Sequence, residues 1–449
     1  MASDTKSWQE VELGQVVKIK HGWPFKSKSF CESSFGKPIV VAVGNFRYTG
    51  GFRFDSTNVK HYLGEYPAEY ELRPGDILLV MTCQTSGGEI LGVPARVPFD
   101  GKLYLHNQRL GKVVANDRKV VDDGFLYYVF IWPEFNQELY RTSSGSKILH
   151  TSPGRIEAFR LSLPPLREQQ NIARILGALD DKIELNREMN GTLEAMARAL
   201  FKSWFVDFDP VTARASGRVP ALIAPSTADL FPNTFTDSEL GPIPQGWEVG
   251  KVDDFVEGLY DGPHATPKKS DEGAIFLGIK NLTGSQIDLS EIRHIAEEDW
   301  PRWTRRISPQ EGDIVLTYEA TIGFFAMIPP DTRCCLGRRL ALVRPTKHRE
   351  YLFHWFVSQP FQDLIEARTI HGSTVSRTSL TDFPTYPVLV PSRELRDAFC
   401  RFVKPVWSRI HSNQAESRDL AATRDALLPE LLSGRIRLRD AERMVEEVV

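Results

Sequence analysis

The sequence predicts an α+β protein of two similar lobes, mixed or mainly β, with an internal pseudo-two-fold repeat. Two long antiparallel helices forming a coiled-coil rod join the lobes. Three observations predict this fold. A series of landmarks recurs in the same order in the two halves, short β-type runs fill the first part of each half, and a heptad pattern fills the second.

The landmarks come first. Trp8-Gln9-Glu10-Val11 and then His21-Gly22 answer to Trp247-Glu248-Val249 and then Asp261-Gly262-Pro263. Gly44-Asn45-Phe46 answers to Lys280-Asn281-Leu282, and Pro74-Gly75-Asp76-Ile77 to Glu311-Gly312-Asp313-Ile314. Gln108-Arg109-Leu110 answers to Arg338-Arg339-Leu340. Arg141-Thr142 with Gly145-Ser146 answers to Arg368-Thr369 with Gly372-Ser373, and Pro165-Leu166-Arg167-Glu168 to Pro391-Ser392-Arg393-Glu394. The copies stand about 225 to 240 residues apart. An ordered series of this length indicates duplication, and two similar lobes imply two similar jobs.

Within the first lobe, strands are expected at Pro38 to Val43, Asp76 to Met81, Leu110 to Val114 and Phe125 to Ile131. The second lobe has Ile275 to Ile279, Asp313 to Tyr318 and Leu340 to Val343. Gly75-Asp76 and Gly312-Asp313 read as turns before buried strands.

After Leu163-Pro164-Pro165 the period changes. Ile172, Leu176, Leu179, Ile183, Asn186, Asn190, Leu193, Ala197, Leu200 and Trp204 follow each other mostly four and three apart. Such a helix would be about 50 Å long at ~1.5 Å per residue, and a seam of that length calls for a partner. Phe399, Phe402, Val406, Ile410, Asn413, Leu420 and Leu427 supply it with weaker spacing, and Pro405 should kink that helix. Asn186 and Asn190 at seam positions read as setting helix register. Residues 209–245, rich in Pro, Ser and Ala, read as a linker. The expected boundaries are 1–165 for the first lobe, 166–208 for the central helix, 246–391 for the second lobe, 392–436 for the distal helix and 437–449 for a tail.

Composition excludes several classes. Of 449 residues, 41% are hydrophobic and 25% charged, which suits packed cores. No apolar stretch reaches the ~18 residues of a membrane span, and Met1 to Trp8 has no signal-peptide core, so a cytoplasmic location is expected and no membrane partner. Cys31, Cys83, Cys334, Cys335 and Cys400 make an odd set without Cys-x-x-Cys, which argues against a disulfide framework or zinc site. Cys334-Cys335 reads as buried thiols of a short strand rather than a redox switch. No Gly-x-Gly, phosphate loop or paired metal-ligand histidines occur. Asp180-Asp181-Lys182 reads as a solvated helix face rather than a nuclease fragment. The net charge of -3 leaves room for a local basic face.

Four strings carry a resemblance. They are Leu163-Pro164-Pro165-Leu166-Arg167-Glu168-Gln169-Gln170, and Leu200-Phe201-Lys202-Ser203-Trp204-Phe205-Val206-Asp207-Phe208-Asp209-Pro210. The others are Ser238-Glu239-Leu240-Gly241-Pro242-Ile243-Pro244-Gln245-Gly246-Trp247 and Leu427-Leu428-Pro429-Glu430-Leu431-Leu432-Ser433-Gly434. In this order, and with the repeat, the chain resembles the specificity subunits of type I restriction-modification systems over nearly its whole length. The resemblance implies a non-catalytic subunit whose lobes are target-recognition domains, each reading half of a bipartite, asymmetric site in double-stranded DNA. It implies two methyltransferase subunits carrying S-adenosylmethionine and two restriction subunits using ATP and Mg, with no cofactor on this chain. The competing classes are a fused restriction-modification enzyme or methyltransferase, and a coiled-coil scaffold with protein-binding lobes. The distal helix opens Ser392-Arg393-Glu394-Leu395 where the first has Leu166-Arg167-Glu168-Gln169, a departure that bears on pairing.

Recognition lobes vary with their targets, so contact candidates are the basic, amide and aromatic residues of expected loops. In the first lobe these are Lys26, Lys28, Arg47, Tyr48, Arg53, Gln84 and Lys147. In the second they are His264, Lys268, Lys269, Arg302, Arg305, Arg306 and Arg377. Arg and Gln suit the paired acceptors and donors of guanine and adenine edges, and Lys suits phosphate.

Overall fold

The computed structural model describes residues 8–31, 36–54, 58–85, 87–221, 223–268, 270–290, 292–371 and 375–448. The chain divides into two units, residues 1–184 with 419–449, and residues 185–418. The fold is α+β, and the duplication read from the landmarks reappears in the topology of each unit.

In the first unit, Gln9–Glu12 pairs antiparallel with Arg160–Leu163 and so closes the lobe on itself. A four-stranded sheet runs in the order Val17–His21, Leu110–Ala115, Ile77–Val80, Pro94–Arg96. A second sheet has Ile39–Val41 between His61–Tyr62 and Tyr104–His106, with the last pairing parallel. The helices Asp123–Ile131 and Pro133–Thr142 follow the four-stranded sheet in the chain.

The second unit repeats this plan. Glu248–Lys251 pairs antiparallel with Pro387–Val390. The four-stranded sheet is Val256–Asp261, Leu340–Pro345, Ile314–Glu319, Thr321–Met327. Ala274–Leu277 lies between Arg293–Ile295 and Cys334–Leu336, again parallel to the last. Helices Arg349–Phe356 and Gln359–Ala367 follow.

The repeated landmarks do the same structural work twice. Gly75 and Gly312 take φ values of 85° and 83°, a region open to Gly without strain. The Asp after each caps the turn: Asp76 accepts from the Arg73 backbone N–H at 2.7 Å, and Asp313 from that of Gln310 at 2.8 Å. Each carboxylate then meets a cation from the neighbouring strand, Lys112 for Asp76 and Arg344 for Asp313. Asn45 and Asn281 both fold back on their own loops, accepting from Ala42 and Gly278 N–H and donating to Asn58 and Asp288 C=O.

The long helices run Leu166–Phe205 and Arg393–Leu432, 40 residues each. Their pairing is antiparallel within each unit. In the first unit, Ile172, Ile175, Leu176, Leu179 and Ile183 join Leu420, Leu427, Leu428 and Leu431 in one core with the lobe. In the second, Asn190 accepts from Asn413 Nδ2 at 2.8 Å, Asn186 donates to Glu416 at 2.8 Å, and Phe201 and Trp204 meet Phe399. The two seam Asn therefore hydrogen-bond one helix to the other.

Several expectations need correction. Phe125–Ile131, expected as a strand, lies in the helix Asp123–Ile131, where the Asp122 side chain accepts from Phe125 N–H at 2.9 Å. Its run is apolar on every side and buried on most, so period could not separate strand from helix. Residues 209–245, expected as a linker, carry regular structure: helices Asp209–Ala215 and Pro225–Ala228 and the hairpin Phe235–Ser238 with Gly241–Pro244. Val211, Phe231 and Ile243 anchor these in the second core. The expected tail contains the helix Leu438–Glu446, with Ala441 and Val445 buried in the first core.

In the seam, Phe402 is 52% exposed, with its ring against Trp204, while Val403 and Trp407 are buried. A 3.6-residue helix rotates by about 20° per heptad against a 3.5 repeat, so the buried face moves off a fixed seven-residue pattern. Leu193, Leu200 and Val406 are partly buried against the second core, and the distal helix continues through Pro405. Asp180 is half-buried rather than solvated: it accepts from Tyr128 OH at 2.8 Å and from Arg424 at 2.7 Å. Cys334 and Cys335 are buried in a short strand, and burial pushes both thiols up to about 12, which suits packing and not redox exchange.

Candidate nucleic-acid interface

In the first lobe the candidate residues fall at three places. Lys26 and Lys28 are exposed on a single 3-10 turn next to the strand Phe30–Cys31. Arg47, Tyr48 and Arg53 share a tight excursion, closed by hydrogen bonds from Arg47 N–H to Gly51 C=O and from Arg53 N–H to Asn45 C=O. Tyr48 is 44% exposed there. Gln84 and Lys147 flank a two-stranded ribbon, Thr82–Cys83 with Leu149–His150, and both are exposed.

The second lobe gathers its candidates more tightly. His264, Arg302, Arg305 and Arg306 line one cleft of about 280 Å³ together with Asp261, Gly262, Pro263, Trp303, Ile307 and Leu336. Arg302 lies within the short helix Trp300–Trp303, and Arg305 and Arg306 follow it. Trp303 is buried edge-on against Phe276 with ring centres 5.4 Å apart, and Trp300 lies under the Arg333 guanidinium at 4.4 Å. Arg333 is in turn held by Glu297, whose carboxyl it keeps below the usual range. Two anchored indoles thus fix the backbone, and the intervening and following arginines face solvent.

Asp261, at the end of its strand, organises the cleft. One oxygen lies 3.2 Å from His264 Nε2 and the other is bound to Arg306. Three arginines against one carboxylate leave the cleft cationic, the local positive charge that phosphate contacts need. Lys268 is exposed on the same loop as His264, and Lys269 lies outside the described residues. Arg377 sits elsewhere, on a ribbon where its backbone pairs with Ile370 and Glu319, the counterpart of the first lobe's Ser144–His150 bridge.

Sequence reading named the basic residues of the cleft but missed Asp261 as a participant. It stood only as a landmark opposite His21, and its role needs contact with Arg306, 45 positions away. Among the described residues no group of three His, Cys, Asp or Glu is placed to hold a metal, and no helix is long and apolar enough to cross a membrane.

Residues 5–195 match the family model of the type I restriction modification DNA specificity domain. The chain is 23% identical to the HindI specificity subunit of Haemophilus influenzae over 96% of its own length and 99% of that protein's. It is 20% identical to the EcoBI specificity subunit of Escherichia coli over 95% of its length and 85% of the relative. Among solved structures, the S subunit of a type I restriction-modification system from M. genitalium shares the fold with a TM-score of 0.50 at 13% identity, covering 96% of this chain and 97% of that one. With the duplicated lobes and the paired helices, the chain is similar over nearly its whole length to type I restriction-modification specificity subunits, and residues 5–195 carry the match to their DNA specificity domain.

Proposed function

We propose that this chain is the non-catalytic, DNA-reading subunit of a type I restriction-modification assembly, with each lobe reading one half of a bipartite, asymmetric site. The duplicated lobe plan carries this reading: one scaffold made twice in one chain, with different exposed side chains, suits two unlike half-sites. The paired helices set the unread spacer and dock two methyltransferase subunits, which bring S-adenosylmethionine. Two restriction subunits, using ATP and Mg, join them in the cytoplasm. The contact candidates of both lobes meet bases and phosphates, and phosphate contacts position the complex without specifying sequence.

The test is exchange of the first lobe, residues 1–163, for that of a relative, followed by methylome sequencing of cells that also make the methyltransferase subunits. One half of the methylated sequence should change and the other should not. A change in both halves would show that the lobes are not independent readers, and methyl transfer by the purified chain alone would show that it is an enzyme.

A further inference from the structure

The two lobes carry the same backbone device with different side chains in it. In each, the first strand of the four-stranded sheet ends at a glycine pressed onto the strand end of the other sheet. A Cβ on Gly22 would lie 2.2 Å from the Asn107 carbonyl oxygen, and one on Gly262 would lie 2.4 Å from that of Gly337. Only Gly permits such an approach. The place just beyond this junction is furnished differently in the two units. The first has Trp23 and Tyr70 with rings 5.2 Å apart, and His106 next to Tyr70. Burial pushes the His106 imidazole down to about 4, so it is neutral near pH 7. The second has Asp261, His264, Arg302, Arg305 and Arg306 around the cleft. One scaffold position is thus aromatic in one lobe and cationic in the other, which is where two readers of unlike half-sites would differ.

We propose that the second lobe's cleft reads a guanine of its half-site, with Arg306 as the reading residue and Asp261 as its positioning residue. This rests on the DNA-reading function above. Guanine presents two adjacent acceptors, N7 and O6, in the major groove, and a guanidinium matches them with two parallel N–H donors. A guanidinium with one nitrogen bound by Asp261 is held in place and still has further donors to present. Fixing it beforehand lowers the ordering cost of recognition. Arg302 and Arg305 make no ion pair with any described residue, so their charge is available to the flanking phosphates. The counterpart place in the first lobe is furnished instead with the Trp23, Tyr70 and His106 rings.

The experiment uses the full chain assembled with its methyltransferase subunits. Wild type, Arg306→Ala, Arg306→Lys and Asp261→Asn are compared by methylome sequencing and by binding to duplexes randomised across both half-sites. Wild type should require guanine at one position of the half-site assigned to the second lobe. Arg306→Ala and Arg306→Lys should both lose that preference by roughly tenfold or more, since Lys keeps the charge but not the paired donors. Asp261→Asn should weaken the preference at that one position and leave the other positions of the same half-site intact, which general loosening of the lobe would not do. Wild-type preference in Arg306→Lys would overturn the proposal in favour of a phosphate contact. A second half-site without a required G·C pair would overturn it too. Both outcomes leave two-part recognition standing, whereas a wild-type assembly without any sequence preference would overturn the underlying function as well.

Discussion

His354 shows how a single buried group ties the second unit to pH. Its Nδ1 lies 2.7 Å from the Glu350 carbonyl, and its ring packs against Phe201, Phe399 and Trp407. Burial pushes its pKa down to about 4 from an ordinary 6.5. Between those values the unfolded chain takes up a proton that the folded unit does not, so stability falls as pH drops below about 6.5. The expected loss at pH 5 is about 2 kcal/mol from this residue, at ~1.4 kcal/mol per pH unit. Urea unfolding at pH 7 and pH 5, followed by the core aromatics, checks it. His354→Phe should flatten part of that slope, and an unchanged slope would assign the pH dependence to other groups. At this scale the sequence was only partly legible. Arg302, Arg305 and Arg306 could be named as basic loop residues, but nothing local marks the carboxylate of Asp261 that organises them. Burial of His354 was equally hidden, because an isolated histidine in an apolar run has no period of its own.

The elements were legible where a pattern repeats many times. The central helix, expected over 166–208 on a seam from Ile172 to Trp204, runs Leu166–Phe205, because a heptad pattern leaves few alternatives. Asp123–Ile131 was not legible, since a segment apolar all round carries no face. Residues 209–245 fold because a few apolar anchors, Val211, Phe231 and Ile243, fasten a chain whose Pro and Ser content reads as linker. Between the helices, the Asn186, Asn190 and Asn413 layer sits in an apolar seam, where polar pairing is specific but weaker than packing. Replacing Asn190 and Asn413 together by Leu should raise the midpoint of thermal unfolding while loosening register. Replacing Asn413 alone by Leu should destabilise by about 1–3 kcal/mol, because Asn190 loses its partner. Calorimetry of the two variants, with disulfide trapping between matched helix positions, reads both effects. A double variant less stable than the single one would show that this layer is held by more than its mutual hydrogen bond.

For the whole molecule, the proposed reading makes helix length a determinant of the spacer between half-sites. The landmarks that betrayed the duplication belong to lobe scaffold and helix ends, which is why the architecture was legible while the target sequence was not. The pairing of Asn186 with Glu416 and Ser417 identifies matched heights on the two helices. Suppose four residues are inserted after Arg187 in the central helix and four after Ala415 in the distal helix. Each helix grows by about 6 Å at ~1.5 Å per residue, and turns by about 40° beyond one full turn. Base pairs rise ~3.4 Å each, so the preferred spacer should grow by one or two base pairs while both half-sites keep their sequence. The added turn opposes binding, so affinity should fall in the same variant. Seven-residue insertions, close to two full turns, should lengthen the spacer by about three base pairs with a smaller loss of affinity. Methylome sequencing of cells carrying each variant gives the spacer directly. Full activity on the original spacer in both variants would mean that something other than these helices sets the distance between the half-sites.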